Sequence, residues 1–243
     1  MQHIDAVWLS YNKQTVNAIR EKGLKAEYLF SFKGLRYALK SKYWFFNAYT
    51  SDIMFCLSGG AKCVNLWHGV GLKKIEFNIT SGVLAKRYVQ KTFKERFYHP
   101  EVFRKPDFFI SSTDFQSVMF IKAFRLGKKN CLNFGYPRNE ILTAEENKRL
   151  DFINKYEPEN TKLLIQKISA YKNTFIYMPT WRDSQRDIFS NMKLDMLKEI
   201  LQTNYELLIL KPHFNTKISD SDIKGLSNIM LLDNNVDTYT ILP

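Results

Sequence analysis

Short apolar runs alternate with amphipathic stretches along the chain, a rhythm typical of parallel strands joined by helices. In the first half, the runs that predict strands lie at residues 5–9, 26–31, 53–56, 62–67, 106–111 and 131–134. The amphipathic stretches that predict helices lie at residues 12–22, 33–42 and 115–124. The pattern therefore predicts an α/β fold built on parallel sheets.

The rhythm pauses over residues 143–172, which are charged and helical, and then restarts. Strands are predicted at 174–178, 205–210 and 229–232, with a helix over 194–203. This arrangement predicts two α/β domains joined near residue 160, one over residues 1–160 and one over 161–243. Three strands with one or two helices leave a sheet edge uncovered. We therefore expect the second domain to be incomplete and the chain to be part of a longer protein.

Composition narrows the class of protein. Hydrophobic residues make up 45% of the 243 residues and aromatic residues 15%, which excludes a disordered chain. Lys and Arg number 36 against 24 Asp and Glu, and this excess of 12 positive charges indicates a polyanionic partner. That partner is a nucleic acid, a phosphorylated substrate or an anionic membrane surface.

Cysteine and histidine usage indicates the compartment and argues against a metal site. Cys56, Cys63 and Cys131 are an odd number without CxxC spacing, which is typical of reduced thiols in a cytosolic protein. The four histidines lie far apart in the sequence, so no metal site is predicted. No apolar run approaches the length of about 20 residues that a spanning helix needs.

Candidate functional residues follow four of the predicted strands. In doubly wound sheets, ligands bind beyond the carboxyl ends of the strands, so these are the positions where chemistry is expected. At the end of the strand predicted at 62–67 they are Trp67, His68, Gly69 and Val70, and after the strand at 131–134 they are Arg138 and Asn139. After the strand at 174–178 they are Thr180, Trp181 and Arg182, and after the strand at 205–210 they are Lys211 and His213.

Each of these residues has a functional and an ordinary interpretation. His68 suits a general base, but it could equally be a histidine packed beside Trp67. Arg138 and Arg182 are individually compatible with surface arginines, whereas as a set they would bind a phosphate or pyrophosphate. The residue set predicts an enzyme or binding protein with a cationic cleft for a phosphorylated ligand.

The basic segment 86–104 also has two interpretations. Its lysines and arginines are most simply the solvated face of a helix. Its interleaved aromatic residues also permit contact with anionic lipid or with a polyanionic chain.

Four motifs together are more specific than any residue alone. In chain order they are LWHGVGLKK (66–74), GYPRNEIL (135–142), YMPTWRD (177–183) and LKPHF (210–214). This series resembles the CDP-glycerol glycerophosphotransferase family, whose enzymes build teichoic acids and related capsular polymers. The resemblance implies a GT-B-like fold of two Rossmann-like domains, with residues 1–160 on the acceptor side and residues 161–243 as a partial donor-binding domain.

The resemblance also implies roles for the candidate residues. His68 matches the family's proposed base for the acceptor hydroxyl, and His213 matches the histidine that faces the donor pyrophosphate. Arg138 and the stretch Thr180, Trp181 and Arg182 match donor-binding positions of the family. The other matching substrate-binding positions are Trp67, Gly69, Val70, Asn139 and Lys211. Val70 and Gly71 depart from the Thr-Pro pair that many members carry after His-Gly.

The resemblance further implies the partners. The donor is CDP-glycerol or CDP-ribitol, acting as substrate, and no cofactor is expected. The acceptor is a polyol phosphate or a lipid-linked glycan, at an anionic membrane surface on the cytoplasmic side. A GT-B glycosyltransferase that uses a nucleotide sugar is the alternative enzyme, since the fold supports both. A basic nucleic-acid-binding protein is the alternative of another class, although no nucleic-acid-binding module is found in the sequence.

Overall fold

The computed structural model describes residues 4–70, 73–90, 92–179, 194–212, 223 and 225–242. The chain forms two compact units, Met1–Asn139 and Glu140–Pro243. Every strand pairing among the described residues is parallel. The predicted α/β class with parallel sheets is therefore confirmed.

The first unit contains two parallel sheets and the helices that connect their strands. The strands are β1 (Trp8–Ser10), β2 (Ala26–Tyr28), β3 (Tyr43–Phe46), β4 (Lys62–Asn65), β5 (Phe108–Ser111) and β6 (Cys131–Asn133). The α-helices are α1 (Lys13–Glu21), α2 (Phe32–Lys40), α3 (Phe93–Tyr98), α4 (Pro100–Phe103) and α5 (Asp114–Phe124). Strands β1 and β2 form one sheet, and β3-β4-β5-β6 form a second sheet in that order.

The register of the four-stranded sheet aligns the carboxyl ends of its strands. Phe46 at the end of β3 lies opposite Asn65 at the end of β4. Ser111 at the end of β5 lies opposite Asn133 at the end of β6. The segments that leave these strands therefore emerge at one edge of the sheet, which is where parallel sheets bind ligands.

Side chains before the helices fix where several of them begin. The Asn12 Oδ1 atom accepts the backbone N–H of Gln14 at 2.8 Å, which caps α1. Ser31 caps α2 and Thr113 caps α5 in the same way. These polar residues satisfy N–H groups that have no partner within a first helical turn.

The core under the edge of the four-stranded sheet is aromatic. We call Trp67, Phe109, Phe120 and Phe124 the aromatic cluster. All four are buried, and Phe109 is fully buried. The Phe109 ring centroid lies 4.6 Å from that of Phe120 and 4.5 Å from that of Phe124, and the centroids of Trp67 and Phe124 lie 4.8 Å apart. The rings of strand β5 and helix α5 thus form the buried surface against which the Trp67 ring packs.

Where the structure describes the second unit, it contains a three-stranded parallel sheet in the order β7-β8-β9. Its strands are β7 (Asn173–Tyr177), β8 (Glu206–Leu210) and β9 (Ile229–Leu231). Its α-helices are α6 (Glu140–Thr143), α7 (Glu146–Tyr156), α8 (Glu159–Ser169), α9 (Leu194–Asn204) and α10 (Thr238–Ile241).

The two units divide about 20 residues before the predicted boundary at residue 160, at residues 139 and 140. Leu164 and Ile168 of α8 pack against the buried Leu207 and Ile209 of β8. The stretch 143–172, predicted to be a charged connector, therefore lies in the second unit and includes a helix that covers its sheet. Charged residues around Leu164 and Ile168 obscure the apolar stripe of α8 in the sequence.

The strand predicted at residues 53–56 is wrong, and β3 was missed. Residues Thr50–Asp52 and Phe55–Gly60 form 3-10 turns. The Asp52 carboxylate accepts the backbone N–H groups of Asn47 and Ala48, which bends the chain directly after β3. Strand β3 consists of four aromatic residues that are alternately exposed and buried. An all-aromatic run conceals this alternation, which is why the sequence pattern did not show it.

Candidate functional site

The segment after β4 presents the first candidate residues in a strained turn. Trp67 has a φ of +55°, in the left-handed region that non-glycine residues rarely adopt. Its backbone N–H donates to the Asn65 Oδ1 atom at 2.8 Å, and the Asn65 amide donates to the Ala48 carbonyl at 2.8 Å. The Trp67 ring is held in the aromatic cluster. Backbone strain of this kind persists where surrounding contacts enforce it, and such positions concentrate at functional sites.

His68 lies at the surface next to this turn. Its ring centroid is 4.2 Å from that of the Trp67 ring, and its Nδ1 atom is 3.3 Å from the Asn47 carbonyl oxygen. A carbonyl oxygen only accepts hydrogen bonds, so this contact requires the proton on Nδ1. The Nε2 atom is then the nitrogen with a lone pair. His68 is therefore exposed and oriented, with a basic nitrogen available to a substrate.

The segment after β6 folds back onto the His68 turn. Gly135 has a φ of +77°, which redirects the chain at the end of the strand. The Tyr136 hydroxyl then donates to the Gly69 carbonyl at 3.0 Å. The Arg138 guanidinium donates to the Trp67 carbonyl at 3.0 Å and to the His68 carbonyl at 3.1 Å. Two motifs separated by about 70 residues thus form one site in the first unit.

This geometry gives Arg138 a partner that the sequence did not indicate. The resemblance matches it to a donor-binding position, whereas in the structure two of its guanidinium nitrogens contact the backbone of the His68 turn. Asn139 closes the 3-10 turn Pro137–Asn139, and its backbone N–H donates to the Tyr136 carbonyl at 2.9 Å. Val70 is exposed and Gly69 is partly buried. The sequence-predicted residues Trp67, His68, Gly69 and Arg138 are therefore brought together.

The candidate residues of the second half are described only in part. Lys211 directly follows β8, as predicted, and its ammonium group donates to the Val236 carbonyl at 2.5 Å. Its backbone N–H donates to the Tyr177 carbonyl at 3.0 Å. The remaining predicted residues, Thr180, Trp181, Arg182 and His213, lie outside the described residues.

Sequence reasoning missed a buried carboxyl group beside the site. Glu76 is 7% exposed and has a φ of +48°. Its Oε1 atom accepts the Tyr49 hydroxyl at 2.7 Å, whereas its buried Oε2 atom has no hydrogen-bond partner in the described part of the chain. Burial raises the pKa of the Glu76 carboxyl, and the Tyr49 and Tyr88 hydroxyls and the charges of Arg87 and His68 act in the opposite direction.

The expectation that functional residues lie beyond the carboxyl ends of parallel strands could have found part of this arrangement. Asn47 and Tyr49 directly follow β3, so recognising β3 would have directed attention to them. Burial and the Glu76 carboxylate raise the pKa of the Tyr49 hydroxyl well above its usual range, so Tyr49 remains a hydrogen-bond donor.

Among the residues that the structure describes, no group of three His, Cys, Asp or Glu side chains could hold a metal ion.

Known proteins and a family model are similar to this chain over much of its length. The family model for CDP-glycerol:poly(glycerophosphate) glycerophosphotransferase matches residues 1–243. The chain is 27% identical over 213 residues to the teichoic acid glycerol-phosphate transferase of Staphylococcus aureus, covering 82% of this chain and 51% of that protein. It is 26% identical over 181 residues to the teichoic acid poly(glycerol phosphate) polymerase of Staphylococcus epidermidis, covering 69% of this chain and 22% of that protein.

Solved structures of a teichoic acid polymerase are similar to this chain in fold. The wall teichoic acid polymerase TagF superposes with a TM-score of 0.67 at 22% identity, over 97% of this chain and 55% of that chain. A histidine variant of TagF soaked with CDPG superposes with a TM-score of 0.63 over 97% of this chain and 54% of that chain. The chain therefore has part of the GT-B-like fold of TagF, and it spans about half of the first curated relative and about a fifth of the second.

Proposed function

Because the chain belongs to the CDP-glycerol:poly(glycerophosphate) glycerophosphotransferase family, we propose that it transfers glycerol phosphate from CDP-glycerol to a hydroxyl of a growing teichoic-acid-like or capsular polymer. One observation carries this proposal. An exposed histidine, His68, is oriented by a carbonyl on its Nδ1 side and held on a turn that Arg138 braces. This arrangement suits a general base that acts on a hydroxyl.

The proposed step requires a base at the acceptor hydroxyl and stabilisation of negative charge at the donor phosphates. The Nε2 atom of His68 takes the proton of the acceptor hydroxyl as the hydroxyl oxygen attacks the phosphorus that carries the glycerol. The bond between that phosphorus and the bridging oxygen breaks, and CMP leaves with the electron pair of that bond. Negative charge accumulates on the phosphoryl oxygens and on the leaving CMP, so positive charge and N–H donors near the donor favour the transition state.

The proposed division of labour follows the order of the motifs. Trp67, Gly69, Val70 and Asn139 form the acceptor side around His68. We also assign Arg138 to this side, although the resemblance matched it to a donor-binding position, because it donates to two carbonyls of the His68 turn. We assign the CDP-donor side to the second half, with Thr180, Trp181, Arg182, Lys211 and His213. The ammonium group of Lys211 uses one N–H on the Val236 carbonyl, and no other described residue accepts its two further N–H groups, which we assign to a phosphate.

A second observation favours attachment to an anionic membrane surface. Phe93 and Phe97 on α3 are 84% and 70% exposed, and Val83, ahead of them in the chain, is 90% exposed. Lys94 and Arg96 lie between the two phenylalanines and are also exposed. Exposed aromatic rings next to basic side chains suit insertion among anionic headgroups. Within the described ranges, no helix has the length and apolarity required to cross a bilayer.

The experiment is a nucleotide-release assay on the full chain with CDP-glycerol, CDP-ribitol and UDP-sugars as donors. CMP release that depends on a polyol-phosphate acceptor, and that falls by at least about a hundredfold in His68→Asn, supports the proposal. His99→Asn is the matched control, because the His99 ring contacts Arg87 and Glu101 instead of the His68 turn. UDP release from a sugar donor would establish the glycosyltransferase alternative. Tight, salt-dependent DNA binding without nucleotide release would establish the nucleic-acid alternative.

A further inference from the structure

Asn65, the last residue of β4, is a polar side chain buried among aromatic residues. It is 2% exposed, and it lies in register opposite Phe46 of β3 and Phe109 of β5. Burying an amide is unfavourable unless its donor and acceptor are hydrogen-bonded, and an apolar side chain at this position would not carry that cost. The reason for an asparagine here is therefore expected in the groups that its amide contacts.

The two ends of the Asn65 amide bond to two different segments. Its Oδ1 atom accepts the Trp67 backbone N–H at 2.8 Å, which forms the Asx turn through which the chain leaves β4. Its Nδ2 atom donates to the Ala48 carbonyl at 2.8 Å, in the segment that leaves β3. A reversed amide would set a donor against the Trp67 N–H and an oxygen against the Ala48 carbonyl, so these contacts define its orientation.

Each of the two segments holds one side of His68. The turn after β4 carries the His68 backbone, directly after the left-handed Trp67. The segment after β3 carries the Asn47 carbonyl, whose oxygen is 3.3 Å from the His68 Nδ1 atom. One side chain thus joins the residue before His68 to the residue after Asn47.

Other contacts restrain these segments one at a time. The last described backbone hydrogen bond between β3 and β4 runs from the Leu66 N–H to the Phe46 carbonyl, at 2.8 Å. Beyond it, the Asp52 carboxylate accepts two backbone N–H groups of the segment after β3, and the Arg138 guanidinium donates to two carbonyls of the turn after β4. Asp52 and Arg138 each shape one segment, whereas the Asn65 amide sets the separation between the two.

We propose that Asn65 is a positioning residue for His68. Its amide fixes the Asn47 carbonyl relative to the turn, so that the neutral imidazole carries its proton on Nδ1 and its Nε2 atom stays free to accept one. This inference rests on the proposed function, in which His68 is the base. The proton of the acceptor hydroxyl moves to Nε2, and Asn65 neither gives nor takes a proton. An imidazole protonated on Nε2 would have no lone pair there for the hydroxyl.

Two substitutions remove different parts of this connection. Asn65→Ser keeps an oxygen that can accept the Trp67 N–H, because serine forms the corresponding turn, but its side chain ends one bond short of the amide nitrogen that reaches Ala48. Asn65→Leu has a similar volume and removes both bonds. Asn130→Leu is the matched control, because the Asn130 amide lies in the same unit and donates to the Asp107 carbonyl, at 2.7 Å, instead of to either segment.

The readout is which nitrogen of His68 carries the proton. The full chain is labelled with nitrogen-15 histidine, and long-range correlation spectra distinguish the protonated ring nitrogen from the bare one. The spectra are recorded at about pH 8.5, well above the ordinary imidazole pKa of about 6.5. His68→Asn identifies the His68 signals among those of the four histidines. The measurement requires neither donor nor acceptor.

In the wild type we expect the His68 proton on Nδ1. Asn65→Leu and Asn65→Ser should each show His68 signals with the proton on Nε2, because the Asn47 carbonyl is no longer held beside Nδ1, whereas Asn130→Leu should match the wild type. In steady-state transfer, Asn65→Ser should lower kcat by about tenfold and leave the KM for CDP-glycerol within about twofold, because the donor contacts are assigned to the second half of the chain.

A His68 proton that stays on Nδ1 in both Asn65 variants would overturn the inference, as would a wild-type His68 that is protonated on Nε2. If Asn65→Leu does not fold, Asn65→Ser decides the question by the same spectra. A proton that moves to Nε2 without a fall in kcat would overturn the role of Asn65 in transfer. If the proton moves but the wild-type chain releases no CMP from any CDP-polyol, the positioning of His68 by Asn65 stands and the proposed function fails.

Discussion

Two parts of the first unit are rich in aromatic residues and use them in opposite ways. The aromatic cluster buries four rings between β5, α5 and the turn after β4. The exposed stretch around α3 places Phe93, Phe97 and Tyr98 at the surface, with the centroids of Phe93 and Phe97 6.4 Å apart. Aromatic content alone therefore does not determine the role of a segment.

The neighbours of the rings account for the difference. Helix α5 follows a buried strand and packs its rings onto that strand, so Phe120 and Phe124 contact Phe109. Around α3 the rings alternate with basic residues, and no described strand covers them. The first arrangement packs the ring of Trp67, the neighbour of His68, into the core, and the second leaves apolar rings exposed.

The largest expected effect is on stability, and it would test this contrast directly. Phe120→Ala should lower the free energy of unfolding by about 3–5 kcal/mol, because it leaves a cavity among the buried rings. The matched change Phe93→Ala should alter it by no more than about 0.5 kcal/mol, because that ring is exposed. Urea unfolding followed by tryptophan fluorescence measures both values. Equal losses in the two variants would show that the contrast in burial is mistaken.

The next expected effect concerns how His68 is held above the aromatic cluster. If the cluster alone were sufficient, losing the Arg138 side chain would leave transfer unchanged. We expect Arg138→Ala to lower kcat by about tenfold, equivalent to about 1.4 kcal/mol, because two backbone carbonyls of the turn lose their donors. Arg138→Lys should restore little, since a single ammonium does not reproduce the two-nitrogen fork. Full activity in Arg138→Lys would argue that only the charge matters.

A smaller effect would sharpen the interpretation of the exposed stretch. Lys94→Gln should weaken binding to vesicles of phosphatidylglycerol and phosphatidylcholine by about fivefold, since one basic residue near such a surface is worth about 1 kcal/mol. Lys128→Gln removes the same charge from an exposed turn between α5 and β6 and should leave binding unchanged. Sedimentation with vesicles measures both variants. Equal weakening would mean that net charge, rather than this stretch, drives the attachment.

The smallest expected effect lies at Glu76, in a turn beside the aromatic cluster. Ile75 packs on the aromatic cluster, whereas the Phe77 ring contacts Tyr88 and Phe103. Between them, burial raises the pKa of the Glu76 carboxyl above its usual value of 4.5. The folded state then binds this proton more tightly than the unfolded state, so the contribution to stability is present at low pH and declines as pH rises through the raised value.

Glu76→Gln removes this ionisation. Its free energy of unfolding relative to the wild type should therefore increase as pH is raised from about 4.5 to 7. Urea denaturation at a series of pH values measures the difference. Glu95→Gln serves as the control, and a difference between Glu76→Gln and the wild type that is constant with pH would contradict the assigned cause.

Several elements could be predicted from local sequence. The amphipathic stretch at residues 115–124 located α5, and the apolar runs at residues 62–67 and 131–134 located β4 and β6 to within a few residues. The exits of these strands then identified His68 and Arg138 as candidates. Local signals were sufficient at these places, because caps and strand ends depend mainly on residues close in sequence.

Strand β3 and the boundary between the units were not predictable in this way. The exposed and buried faces of β3 are both aromatic, so its period of two does not show in the sequence. The apolar stripe of α8 lies among charged residues, and its role became evident only from its contacts with β8. In both cases the prediction requires knowing which other segment of the chain covers each face of the strand or helix.

The sequence by itself determined the parallel α/β class, the positions of the functional motifs and the family resemblance. Only the tertiary structure decided that Arg138 braces the His68 turn and that Glu76 is buried against a tyrosine 27 residues away. The physical reason is that burial and hydrogen-bond partners are properties of the surroundings. The partner of a guanidinium or a carboxyl is set by the groups that the fold brings next to it, and those groups come from strands and loops distant along the chain.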